Sequence, residues 1–243
     1  MSLLQKYQVS SKENVTKVLD SSIAKLDSLE SSFAANFPYP SLSAASADFA
    51  TKATLSSNDK VSGCVTLALD ALASMSQDAQ TLETFLHLHI PKMEDGNNFG
   101  VTVQLALLKQ LSDVQDAVTR HVDALSAYAS ARADALEKLK LPSSSKSTSK
   151  STSVTTTDGK KEEKVSESTE EKSSENENSG PIYEARCAAV VACDTLYYSK
   201  ALRALQSVMT LYVASLDFLN KNMDKLEKPK GSGGSHSGFH SMY

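Results

Sequence analysis

Apolar residues recur along this chain at steps of three and four, and the runs are broken by proline and glycine. Over residues 12–33, Val15, Leu19, Ile23, Leu26 and Leu29 fall on one helical face. Pro38 and Pro40 end that helix, because each lacks an amide donor and disfavours helical geometry in the residue before it. A second stretch over 58–90 carries Val61, Val65, Leu69, Leu72, Leu82, Phe85, Leu86 and Ile90, with Ser57 or Asn58 as its cap, and stops at Pro91. A third, over 101–141, places Leu107, Leu111, Val114, Val118, Val122, Leu125 and Tyr128 on one stripe that Leu136 and Leu139 continue, and Pro142 closes it. The last runs over 181–228, with a heptad-like seam of Leu205, Met209, Tyr212, Leu216, Leu219, Met223 and Leu226.

These periods predict an all-α chain in one domain. Helix 1 covers 1–36, a short connection 37–57, helix 2 58–90, a loop 91–100, helix 3 101–141, and helix 4 181–228. The three later helices, at 1.5 Å per residue, would each extend roughly 45 to 65 Å, which suits an elongated up-down-up-down four-helix bundle. In that topology the 91–100 loop and the C-terminus share one end. Off the main stripe of helix 4, Val208, Leu211 and Phe218 suggest a second apolar face for a neighbouring subunit.

Composition changes abruptly over 142–180, where Ser, Thr, Lys and Glu dominate and Val154 and Val165 are the only aliphatics. Such a segment cannot offset its ordering entropy by burial, so disorder is expected. The run from Lys160 to Lys164 reads as a solvated linker, with a nuclear-import signal as the alternative. The tail 229–243 is Gly/Ser-rich and flexible by composition until it reaches a bulky end with a free carboxylate.

Charge narrows the partners. With 25 basic against 29 acidic residues the net is -4, so no basic field is available for nucleic acid. No apolar run approaches the roughly 20 residues needed to cross a bilayer, and the start lacks the apolar core of a signal peptide. A soluble protein of cytoplasm or nucleus is expected. Cys64, Cys187 and Cys193 are odd in number and lack CxxC spacing, which favours reduced thiols over a disulfide frame or a zinc site. No nucleophile, phosphate-loop or metalloprotease motif occurs, so neither an enzyme nor a cofactor is expected. His87 and His89 lie about 200° apart around a helix and cannot converge on a metal ion. His236 and His240 sit in the flexible tail, and His121 lies beside an apolar stripe. The loop itself, rich in Gly and Asn between long helices, leaves two readings open: an exposed contact surface or a plain hairpin turn.

The segment from Phe85 to Gln104, and above all the run EDGNNFGV at 94–101, closely resembles the activation-loop segment of the 11S (REG) proteasome activators. Further resemblance lies in 126–135, in 226–231 and in the terminal Ser241, Met242 and Tyr243. The resemblance implies a subunit of a heptameric ring with a central pore, built from this chain alone or with a related subunit, that caps the core proteasome without ATP. It implies that Ser241, Met242 and Tyr243 dock on the proteasome's outer (alpha) ring. Glu94, Asp95, Gly96, Asn97, Asn98, Phe99 and Gly100 would then hold its gate open, Asn98 being the most sensitive. Animal members carry a long insert between helices 1 and 2, whereas here the insert lies between helices 3 and 4. A helical scaffold or coiled-coil interaction protein without gate opening is the alternative reading.

Overall fold

A computed structural model describes residues 2–92, 98–140 and 180–230. The expected all-α, up-down-up-down bundle is what it contains: among the described residues every regular element is a helix. These are α1 (Leu3–Asn36), α2 (Leu42–Ala50), α3 (Asp59–His89), α4 (Phe99–Ser126), α5 (Tyr128–Lys140) and α6 (Pro181–Glu227). Helices α3 and α6 pack on each other, and α1 and α4 each lie against both, on the two flanks of the pair.

Helix ends follow local chemistry. Ser2 opens α1 with a capping box, its hydroxyl accepting from the Gln5 amide while the Gln5 side chain accepts from the Ser2 amide. Asn58 caps α3 by accepting from the Val61 amide at 3.4 Å. Ile90, just before Pro91, and Lys228, just before Pro229, both leave helical geometry, as a following proline requires.

Four expectations need correction. The 37–57 connection is not plain loop: Ser41 caps the nine-residue α2, which presses the fully buried Ala45 and Phe49 towards α6. Its short Ala/Ser-rich sequence carries too few turns to show a period. The stretch read as one helix over 101–141 is two, because Ala127 leaves helical geometry between them (φ -82°, ψ 1°). On α1 Val15 is buried as expected, but further along it is Ser22 that turns inward, its hydroxyl satisfied by the Val18 carbonyl, while Ile23 points outward at 67% exposure. On α6 Val208 is buried inside this subunit rather than kept for a neighbour. Of the seam residues, Leu205, Tyr212, Leu219 and Leu226 are buried, while Met209, Leu216 and Met223 are half-buried. A helix packed against five others needs a wider apolar face than a two-stranded seam. The expectations for residues 141–179 and 231–243 lie outside the described residues.

At the end away from the 91–98 connection, an aromatic cluster closes the core. Tyr198 meets Phe37, Tyr39 and Phe49 at centroid distances of 5.0, 5.7 and 5.5 Å. Beside it lies the fully buried carboxylate of Asp194. It accepts from Arg132 Nε at 3.0 Å, from the Tyr128 hydroxyl at 2.9 Å and from Asn58 Nδ2 at 2.9 Å. The remaining Arg132 donors reach the carbonyls of Lys52, Leu55 and Ser56. One ion pair thereby ties α5 and α6 to the α2–α3 connection. Halfway along the bundle, Asp78 of α3 accepts from Lys25 of α1 at 2.6 Å and from the Tyr212 hydroxyl of α6 at 2.7 Å.

Removing one partner of the Asp194 pair strands the other as a buried charge, so Arg132→Met should lower unfolding free energy in urea by about 3–5 kcal/mol. An exposed control such as Lys109→Met, whose partner Asp113 is also exposed, should change it by less than about 1 kcal/mol. Burial, aided by Asp48, pushes Tyr39 up from 10.0 to about 12; burial also pushes Tyr198 to about 12 and Cys64 from 9.0 to about 11. Each is held protonated by the fold, so the unfolded chain ionises first as pH climbs. The stability these groups contribute should be complete below about pH 9 and fall progressively to about pH 12. Denaturant midpoints across that range check it; a flat profile would contradict these assignments.

Candidate functional site

Two prolines cut α3 and α6 short at the same end of the bundle, and each helix arrives there with carbonyls that have no intrahelical partner. One side chain takes up a carbonyl from each. Gln104 of α4, fully buried, donates through Nε2 to the His89 carbonyl at 3.2 Å and to the Leu226 carbonyl at 2.9 Å. An amide nitrogen has two hydrogens, so both bonds can be made at once, and the opposite amide orientation would set oxygen against two carbonyls. The Gln104 Oε1 has no hydrogen-bond partner among the described residues.

A second contact sits one turn earlier. A Cβ built on Gly100 would lie 2.2 Å from the Pro229 carbonyl oxygen and 2.4 Å from its Cα. Only glycine allows the α6 terminus so close to the start of α4. Phe99 beside it is 60% exposed, with the Lys225 ammonium 4.9 Å from its ring centre. The amino end of α1 joins the same region, where Gln8 donates to the Leu88 carbonyl at 3.1 Å.

Of the residues singled out in the sequence, three are described. Asn98 is the N-cap residue of α4, and its carbonyl accepts from the amide and hydroxyl of Thr102. Phe99 and Gly100 were expected in the loop but form the first turn of α4. Glu94, Asp95, Gly96, Asn97, Ser241, Met242 and Tyr243 lie outside the described residues. The residues that immediately flank these groups, Ile90 to Lys92, Asn98 and Pro229–Lys230, all belong to the end that Gln104 holds together. Sequence reasoning missed Gln104 itself, although it continues the α4 stripe three residues before Leu107.

The two histidines at this end of the bundle occupy different surroundings. His89 stacks on Phe85 at 4.3 Å, its Nδ1 2.7 Å from the Phe85 carbonyl, while His87 is exposed on another face. Burial and the nearby Arg120 hold His121 below its ordinary range. No group of three or more potential metal ligands occurs among the described residues, and among them no helix is long and apolar enough to cross a membrane.

Residues 54–159 match the family model described as proteasome activator PA28, C-terminal, a span that contains α3, the connection and α4. Over those residues the chain is similar to the PA28 proteasome activators. A Dictyostelium discoideum relative, proteasome activator 28, is 35% identical over 66 residues, covering 25% of this chain and 29% of its own. The Homo sapiens proteasome activator complex subunit 3 is 28% identical over 85 residues, 35% of this chain and 34% of its own. The matched region thus spans about a third of the length of these relatives. The fold likeness is broader. A chain in the crystal structure of an archaeal 20S proteasome in complex with mutated P26 activator superposes with a TM-score of 0.64 at 18% identity, covering 93% of this chain and 94% of that one. The 11S subunit of the Plasmodium falciparum proteasome, PA28, gives 0.50 at 19% identity, covering 72% and 58%.

The contact at Gly100 sets a local prediction. Gly100→Ala forces a methyl group into the Pro229 backbone and should cost about 1–3 kcal/mol of unfolding free energy. Gly63→Ala, where an added Cβ meets nothing within 4 Å, should stabilise α3 slightly. Equal effects of the two substitutions would refute the close approach.

Proposed function

We propose that this protein is a non-catalytic, ATP-independent activator of the core proteasome, working from cytoplasm or nucleus. Its C-terminal Ser241, Met242 and Tyr243 dock on the outer alpha ring, and the segment from Glu94 to Gly100 then holds the gate open so that peptides enter. The observation that carries this reading is the common origin of loop and tail. Pro91, Asn98 and Pro229 lie at one end of the bundle, and Gln104 and Gly100 bring the α6 terminus against the foot of the loop. A tail that anchors and a loop that presses need that shared footing. The family match supports it from the sequence side, since it spans the loop.

The ring is part of the proposal. Exposed apolar residues lie on both flanking helices and on α6, including Ile23 of α1, Leu105 of α4, and Leu196 and Val213 of α6, as a subunit with two different neighbours requires. Seven tails on one rigid ring bind with an avidity that a single tail lacks. We propose a heptamer, with a related second subunit as the variant to distinguish by native mass.

Stimulated hydrolysis of a fluorogenic peptide by core proteasome is the test. Deleting Tyr243 should abolish both binding and stimulation. Asn98→Tyr should bind yet fail to stimulate. A silent Tyr243 deletion, with self-association intact, would instead establish a helical scaffold.

A further inference from the structure

Gln104 raises a question that docking and gate opening do not answer: how an anchored tail fixes the height of a loop on a different helix pair. Its amide is the only described side chain that hydrogen-bonds at once to the last turn of α3, before the loop, and the last turn of α6, before the tail. It stands on α4, directly after the loop. Three chain segments that enter or leave the two working parts therefore meet on one nitrogen. Gly100 lies four residues before it, one helical turn away, with the Pro229 backbone against it where any side chain would stand. Phe99 and Lys225 bridge the same two elements from the solvent side.

We propose that Gln104 is a positioning residue that couples tail to loop: its amide clasp sets the foot of the 91–98 connection relative to the point where the tail leaves α6. The inference rests on the proposed gate-opening function and adds the device by which docking force reaches the loop. The physical reason is the rigidity of the clasp. A buried amide bonded to two helix-terminal carbonyls cannot swing without leaving both unpaired, so the three segments move as one unit. An apolar side chain of the same length fills the same space but lets α6 shift past α4.

Gln104→Met keeps the length and removes both donors. Measured on the full-length protein with core proteasome, the half-saturating concentration should stay within about twofold of the parent, since the tail is intact. Maximal stimulation should fall by a factor within the range of about 5–150 typical of coupling between two sites. Gln104→Asn keeps the amide but shortens its reach by one methylene, so it cannot span both carbonyls and should show the same split, which keeps the test open if Gln104→Met does not fold. Parent-like maximal stimulation by both variants overturns the coupling while leaving gate opening intact.

Hydrogen exchange on the free protein judges the clasp apart from any activity. The amides of Ile90, Thr102 and Lys228, bonded to the carbonyls of Leu86, Asn98 and Asp224, belong to the three joined segments. In Gln104→Met all three should exchange faster together. The Ser62 amide, bonded to Asn58 at the far end, should not change. Acceleration of Ser62 as well would reduce Gln104 to a general stabiliser, and no acceleration at the three would remove the clasp altogether. If the parent protein fails to stimulate the proteasome, the activator reading falls, and the exchange pattern still decides whether the three segments are joined.

Discussion

Long antiparallel helices with apolar faces can slide past one another at little cost, so their axial register has to be fixed by something directional. Here that constraint is met by polar side chains placed on core faces of the bundle. Asp194 fixes the end with the aromatic cluster, Asp78 the middle, and Gln104 the end with the loop. Each has partners on two or more other segments, and each is more than nine-tenths buried. A one-residue slip of α6 would move its groups by about 1.5 Å and rotate them by about 100°, breaking the Asp194, Tyr212 and Leu226 bonds together. Apolar packing supplies the stability, and these bonds select one alignment from many.

The end of the bundle that carries the 91–98 connection is accordingly a product of the register. The loop and the tail start from helices that end at Pro91 and Pro229, and their separation depends on how far α6 has travelled past α3. Tyr212 sets that travel from the middle of the bundle, through its bond to Asp78, and Gln104 fixes it again at the end. At both places what the side chains hold is the position of one helix against another.

The main helices and most of their core faces were legible in the sequence because their periods are long and clean, as with Leu107, Leu111, Val114, Val118 and Leu125, all buried. The 94–101 run carries the family resemblance, whereas its composition by itself fits an ordinary turn equally well. Features that depend on tertiary partners were not legible. Helix α2 is stabilised by the aromatic cluster around Phe49 and Tyr198, which nothing local announces. The break at Ala127 falls directly before Tyr128 and Arg132, both of which turn to Asp194. Even so, a signal for the polar bonds was present. Gln104, Asp78, Arg132 and Asp194 all stand where the stripe of their own helix calls for an apolar residue. A polar residue interrupting an apolar stripe is the trace that such a bond leaves in a helical sequence.

Helices α5 and α6 continue past the Asp194 ion pair towards residues 140 and 181. Pro181 stands 13 positions before Asp194 on α6, about 20 Å of helix at 1.5 Å per residue. That overhang acts as insulation. A segment between α5 and α6 can lengthen, shorten or change composition over evolutionary time without its strain reaching the ion pair, still less the far end where loop and tail begin. The architecture thus has one end free to diversify and another held to a fixed geometry.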